Sequence, residues 1–191
     1  MKVGFISLGC AKNQVNCEQM IWQTYEAGHE VALGAEDCDA VVVNTCGFLQ
    51  EARDEAMGEI EKLVEMKKAG QIQKIIVTGC LAQRYQQELV DEIPECDAVL
   101  GLGANDDIAA VVEQVMAGQT VRSFPSRDAW CLDGSRVLTT PHFFAYLRIA
   151  DGCDNRCTYC VIPSIRGRYR SRTMDDVLYE ARLLAPSGVK E

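Results

Sequence analysis

Cys153, Cys157 and Cys160 form a Cys-x-x-x-Cys-x-x-Cys run directly after the strand-like stretch Phe144 to Ala150, with Tyr159 just before the third thiol. Three thiolates in one turn can hold three irons of a four-iron four-sulfur cluster and leave the fourth iron open for chemistry. Electron-transfer clusters normally take four protein thiolates, and structural zinc takes a closed tetrahedral set of four ligands. The alternative for this run is a zinc knuckle completed by His142.

A second set is dispersed along the chain. Cys10, Cys46 and Cys80 occur as Ser7-Leu8-Gly9-Cys10, Asn44-Thr45-Cys46-Gly47 and Thr78-Gly79-Cys80, each just past an apolar run. Neighbouring glycines would let the backbone come close to a bound cluster. The competing reading is that these are core cysteines, since a free thiol packs as a small hydrophobe. That reading is kept for Cys17, Cys38, Cys96 and Cys131, which share no repeated placement.

The elements that must carry these thiols read as strands alternating with helices. Buried-strand runs occur at Val3 to Leu8, Ala40 to Asn44 and Lys74 to Thr78, with weaker candidates at Glu30 to Leu33 and Ala98 to Leu100. Ala56, Ile60, Leu63 and Val64 repeat at helical spacing in a segment that stops at Gly70, and Gln83 to Glu92 and Asp106 to Ala117 look similar. Such alternation implies a parallel sheet covered by helices on both faces. Ligands of open parallel sheets bind outside the carboxyl edge, where strand order reverses. The three cysteines follow the first, third and fourth strands, which are neighbours in the flavodoxin-like order 2-1-3-4-5. Strands lie about 4.8 Å apart, so the three loops can converge on one cluster in that order, whereas 3-2-1-4-5 would separate them.

The sheet domain is expected over residues 1–118, a linker over 119–141 and a second domain from 142 to 191. Gln119 to Pro141 carries Ser, Gly, Arg and Pro without sustained periodicity. Residues 1–118 hold 8 Lys and Arg against 20 Asp and Glu, while residues 119–191 hold 11 against 8, ten of the eleven being arginine. The acidic front half argues against a nucleic-acid surface there and is compatible with a basic protein partner. Arg166, Arg168, Arg170 and Arg172 alternate close to the Cys153 run; the readings open for them are ordering of that loop, contact with an acidic partner and an exposed strand edge. No apolar stretch approaches the ~18 residues of a membrane span. Ten cysteines without an export signal point to a reducing cytoplasm, where clustered thiols are ligands rather than disulfides.

These strings together resemble the radical S-adenosylmethionine methylthiotransferases. Residues Ser7 to Asn13, Asn44 to Phe48, Gly79 to Leu81 with Arg84 and Tyr85, Gly152 to Cys160 and Ile162 to Arg172 are similar to the branch that modifies a ribosomal protein. The tRNA-modifying branch is similar in the radical loop and differs around the first cysteine. The resemblance implies that Cys153, Cys157 and Cys160 hold a radical cluster whose open iron is chelated by S-adenosylmethionine, with Tyr159 against the adenine. It implies that Cys10, Cys46 and Cys80 hold a second four-iron four-sulfur cluster.

The implied reaction replaces an unactivated C–H hydrogen with a methylthio group, at the β-carbon of an aspartate in protein twelve of the small ribosomal subunit. Side-chain acid–base chemistry cannot remove such a hydrogen, so the cofactor must do the hard step. A low-potential donor such as flavodoxin or ferredoxin is the implied partner; tRNA enters only under the alternative. Residues 142–191 supply one βα unit of an incomplete radical barrel, which needs ~250 residues when complete. The chain is therefore expected to be the front part of such an enzyme, inactive by itself; the alternatives are the tRNA-directed relative and a non-catalytic iron–sulfur or zinc-binding module. The unit's helix should start at Thr173 as N-cap and stop at Pro186 and Gly188.

Overall fold

The computed structural model describes residues 1–126 and 132–191. Cys131, expected in the core, lies outside the described residues. The order along the chain is β1 (Lys2–Ser7), α1 (Ala11–Glu26), β2 (Glu30–Leu33), β3 (Ala40–Thr45), α2 (Gln50–Lys68), β4 (Lys74–Gly79), α3 (Cys80–Tyr85), α4 (Gln87–Glu92) and β5 (Ala98–Leu100). A 3-10 turn (Leu102–Asp107), α5 (Ile108–Met116) and β6 (Val121–Ser123) follow. Farther along the chain come β7 (Ala150–Asp151), α6 (Ile162–Arg166), β8 (Arg170–Ser171) and α7 (Met174–Leu184).

The main sheet is wholly parallel with strand order β2-β1-β3-β4-β5-β6, so the expected flavodoxin-like arrangement is present with one further strand. That strand, β6, lies in the stretch expected to be linker. Three residues are too few to show a period, and pairing with β5 rather than sequence pattern makes them a strand. Both faces are covered, as the continuous apolar runs require. Successive residues of β3 and β4 point to opposite layers: Val41, Val43, Ile75 and Val77 pack with Ala56, Ile60 and Leu63 of α2 and Leu81 of α3. Val42 and Ile76 pack with Met20 and Ile21 of α1 and with Ile108, Val112 and Val115 of α5. Each fully buried aliphatic side chain of this kind contributes about 1.5–3 kcal/mol. Cys17 is buried in the second layer and Cys38 and Cys96 in the first, all three as core thiols.

Helix α1 carries no simple apolar stripe. It buries Asn13, Asn16, Glu18 and Thr24 beside Val15, Met20 and Ile21, because its polar side chains are enclosed by the later chain. Arg148 donates to Asn16 Oδ1 at 2.6 Å and Gln19 Oε1 at 2.9 Å, while Arg136 donates to Glu18 Oε2 at 2.6 Å and Glu180 Oε1 at 2.8 Å. The segment 132–148 therefore straps the second half of the chain onto α1.

The helical stretch expected over Gln83 to Glu92 is two short helices broken at Gln86, whose φ of 44° no helix accommodates. The strand expected over Phe144 to Ala150 pairs only at Ala150 and Asp151, antiparallel to β8. Helix α7 begins as expected, with the Thr173 hydroxyl accepting from the Asp176 amide. Among the described residues no helix is long and apolar enough to cross a membrane.

Candidate iron–sulfur site

β1, β3 and β4 are adjacent and parallel, so their carboxyl ends bring the loops of Cys10, Cys46 and Cys80 to one edge of the sheet. Cys46 and Cys80 are buried and Cys10 is exposed, so the edge opens to solvent on the Cys10 side. The loops touch. A Cβ on Gly9 (φ +99°) would lie 2.6 Å from Cys46 Cβ, and one on Gly47 would lie 2.7 Å from Leu81 Cα. The glycines thus let the cysteine loops pack on one another, a tighter role than the expected approach of backbone to a cluster.

One amide ties all three loops. Asn13, fully buried on α1, donates through Nδ2 to the carbonyls of Leu8 and Thr45, both at 3.0 Å. Its Oδ1 accepts from Cys80 Sγ at 3.4 Å and from Arg166 Nη2 at 2.5 Å. Its own carbonyl accepts from Asn44 Nδ2 at 2.6 Å. Arg84 Nη1 holds the Gly47 carbonyl at 2.8 Å beside Cys46.

The second set lies in the loop between β7 and α6. Cys153 and Cys160 are partly buried, Cys157 is exposed, and Tyr159 is 88% exposed. Cys160 donates its amide to the Cys157 carbonyl at 3.0 Å, and Cys153 to the Gly167 carbonyl at 3.2 Å. Gly152 (φ +77°) is required here, since a Cβ would meet the Arg168 carbonyl oxygen.

Of the readings open for the arginine run, Arg166 fits ordering of the cysteine loops and not an exposed strand edge. It ends α6 and is 2% exposed, because Ile165 seats that helix against Leu102 and Cys80. Its guanidinium reaches Asp151 Oδ2 at 3.0 Å and Cys80 Sγ at 3.1 Å. Arg172 also turns inward, to Asp133 Oδ1 at 2.5 Å and to Glu180, while Arg168 stays exposed near Asp154. Alternation along a strand cannot reveal this, since Arg166 ends a helix and only Arg170 and Ser171 of the run are strand.

Burial pushes the Cys80 thiol up, and the Arg166 guanidinium partly offsets it. Burial would also raise Asp151, but Arg166 and Lys12 outweigh it and hold the carboxyl below the usual range. Asn13, Asp151 and Lys12 were not singled out as site residues in the sequence. A polar residue on a helix carries no mark of being enclosed by a segment more than 130 positions away.

Among the described residues no three His, Cys, Asp or Glu side chains close around the position of a single metal ion. A cluster asks for a different donor set, because its three thiolates bind three different irons. Three loops with thiols at one sheet edge, packed through glycines and faced by one buried cation, fit an anionic cluster. The Cys153 loop fits one with a free position.

Two family models match in series. Residues 2–101 match the model described as "Uncharacterized protein family UPF0004" and residues 147–191 match the "Radical SAM superfamily". A protein of Syntrophomonas wolfei named "Ribosomal protein uS12 methylthiotransferase RimO" is 46% identical over 192 residues, covering 100% of this chain and 44% of its own length. A Clostridioides difficile protein of the same name is 42% identical, with 100% and 43% covered. The chain thus spans less than half the length of these relatives. The solved structure of a radical S-adenosylmethionine methyltransferase, TsrM, from Kitasatospora setae shares the fold with a TM-score of 0.64 at 14% identity, over 98% of this chain and 46% of that one. With both cysteine sets in place and relatives of one name matching end to end, the chain belongs to the radical S-adenosylmethionine methylthiotransferase family.

Proposed function

We propose that this chain provides two four-iron four-sulfur cluster sites and serves transfer of a methylthio group to the β-carbon of an aspartate in ribosomal protein uS12. The observation that carries the reading is the pairing of a three-loop cysteine edge with a Cys-x-x-x-Cys-x-x-Cys loop, in a chain whose relatives bear the uS12 name along all of it. Cys10, Cys46 and Cys80 hold the auxiliary cluster; Cys153, Cys157 and Cys160 hold the radical cluster. When bound, the clusters and S-adenosylmethionine supply a radical that removes an unactivated hydrogen and a methylated sulfur that takes its place.

The protein's own side chains bind and orient. Gly152 and the Gly167 carbonyl fix the start of the radical loop, and Tyr159 offers an open ring face for the adenine. Lys12 and Arg166 clamp Asp151, which sets that loop against the auxiliary edge. Exposed Cys157 leaves the radical loop approachable by a low-potential donor such as flavodoxin or ferredoxin.

The test is a chimera in which this chain replaces the aligned segment of the Syntrophomonas wolfei relative. After anaerobic reconstitution it is offered uS12 and tRNA in one reaction, and both are read by mass spectrometry. Methylthiolated uS12 with unaltered tRNA is expected. Modified tRNA with unaltered uS12 would transfer the assignment to the tRNA-directed branch.

A further inference from the structure

We infer that Arg166 is a positioning residue of the auxiliary site, supplied by the radical segment, and that its single guanidinium sets the two cysteine sets against each other. The inference rests on the reading that Cys10, Cys46 and Cys80 hold a cluster.

Arg166 is enclosed, and each of its two terminal nitrogens serves a different set. Nη1 donates to Asp151, two positions before Cys153, at 3.0 Å. Nη2 donates to Cys80 Sγ at 3.1 Å and to Asn13 Oδ1 at 2.5 Å. Asn13 passes the connection on, because its Nδ2 holds the Leu8 and Thr45 carbonyls that lead into Cys10 and Cys46. The two carbonyl acceptors fix the orientation of the amide, so its oxygen must face Arg166 and Cys80. The next residue closes the circuit: the Gly167 carbonyl accepts from the Cys153 amide.

A planar guanidinium donates in two directions at once, which an ammonium on a flexible stem cannot reproduce. Its charge lies against a ligand sulfur, and hydrogen bonds to sulfur and net charge are what set a cluster's reduction potential. Arg166 therefore does two separable things. Its charge stabilises the reduced auxiliary cluster, and its fork couples the loops of both sets.

The test uses the full chain in two forms. In the metal-free protein, amide hydrogen exchange is followed at residues 8–10, 44–47 and 79–81 and at 151–160. R166Q should speed exchange in both groups of loops roughly tenfold, since each loses a charge-assisted hydrogen bond. R166K should do the same, and R182Q, at an exposed position on α7, should leave both unchanged. In a background with Cys153, Cys157 and Cys160 replaced by Ala, the reconstituted auxiliary cluster is titrated potentiometrically by its paramagnetic resonance signal. R166Q should retain about four irons and move the midpoint to more negative potential, and R166K should move it back.

An unchanged midpoint with full iron, or faster exchange confined to residues 162–172, would overturn the inference. If R166Q loads no iron while its parent does, the exchange pattern decides on its own. If the parent loads no cluster, the cluster reading fails, and coupling of the loops by Arg166 still stands or falls on exchange.

Discussion

Lys12 and Asp151 face each other with Nζ 3.0 Å from Oδ1, each two positions from a cysteine of a different set. The carboxylate side chain is fully buried while the lysine keeps 44% of its side-chain exposure. A buried carboxylate remains ionised only when charges or donors surround it, here Lys12, Arg166 and the Gly152 amide at 2.8 Å. The two halves of the chain are thus joined by polar contacts at the site itself, in addition to the strap over α1.

Lys12→Met keeps the aliphatic stem and removes the ammonium. Urea unfolding should show a loss of about 1–2 kcal/mol, as expected for one charge-assisted bond with Arg166 still in place. A midpoint equal to wild type would mean that the pair contributes nothing.

Asp97 ties β5 to its neighbours, accepting from Lys67 Nζ at 2.5 Å, Lys74 Nζ at 3.0 Å and the Ile75 amide at 2.9 Å. Burial alone would raise its pKa, but these donors hold the carboxyl below the usual carboxylate range. A depressed folded pKa contributes stability that is present above the unfolded value of about 3.9 and is lost as pH falls through the folded value. Asp97→Asn should therefore cost about 1.5–3 kcal/mol at pH 7. That difference should shrink below pH ~4 in denaturant titrations across pH. A pH-independent difference would contradict the ionic account.

Gly152→Ala should lower stability by on the order of 2–4 kcal/mol, combining a left-handed backbone with a side chain driven into the Arg168 carbonyl. Gly58, mid-helix with open space where a Cβ would go, serves as the control and should gain stability as Ala, by up to ~1 kcal/mol. Equal effects at the two positions would show that the radical loop is not held as described.

The parallel sheet was legible because β1, β3 and β4 are continuous apolar runs, and three cysteines just past them make sense only if those strands are neighbours. The two groups of cysteines stand out by spacing and context, since thiols in short motifs are local features, and the sheet order brings the loops of Cys10, Cys46 and Cys80 to one edge. What escaped is non-local. β6 is three residues defined by its partner, and α1 hides its helical period because Asn13, Asn16 and Glu18 are buried by residues from 132 onward. Arg166 resembled the exposed Arg168 in sequence and was distinguished only when α6 turned it toward Cys80.

The two cysteine sets should separate by function. In the chimera described above, Cys10→Ala or Cys46→Ala should abolish the methylthio product while cleavage of S-adenosylmethionine to 5′-deoxyadenosine continues. Cys157→Ala should abolish both. Anaerobic turnover with dithionite, scoring each product separately, checks this; full methylthio product from Cys10→Ala would remove Cys10 from the auxiliary site.

If one chain carries two cluster sites, a count of iron and acid-labile sulfide reads both at once. Anaerobically reconstituted protein should hold about eight of each. Replacing Cys10, Cys46 and Cys80 by Ala should leave about four, as should replacing Cys153, Cys157 and Cys160. Stoichiometric zinc without labile sulfide in freshly purified protein, or a full load in either triple variant, would mean that the two cysteine sets do not hold two clusters.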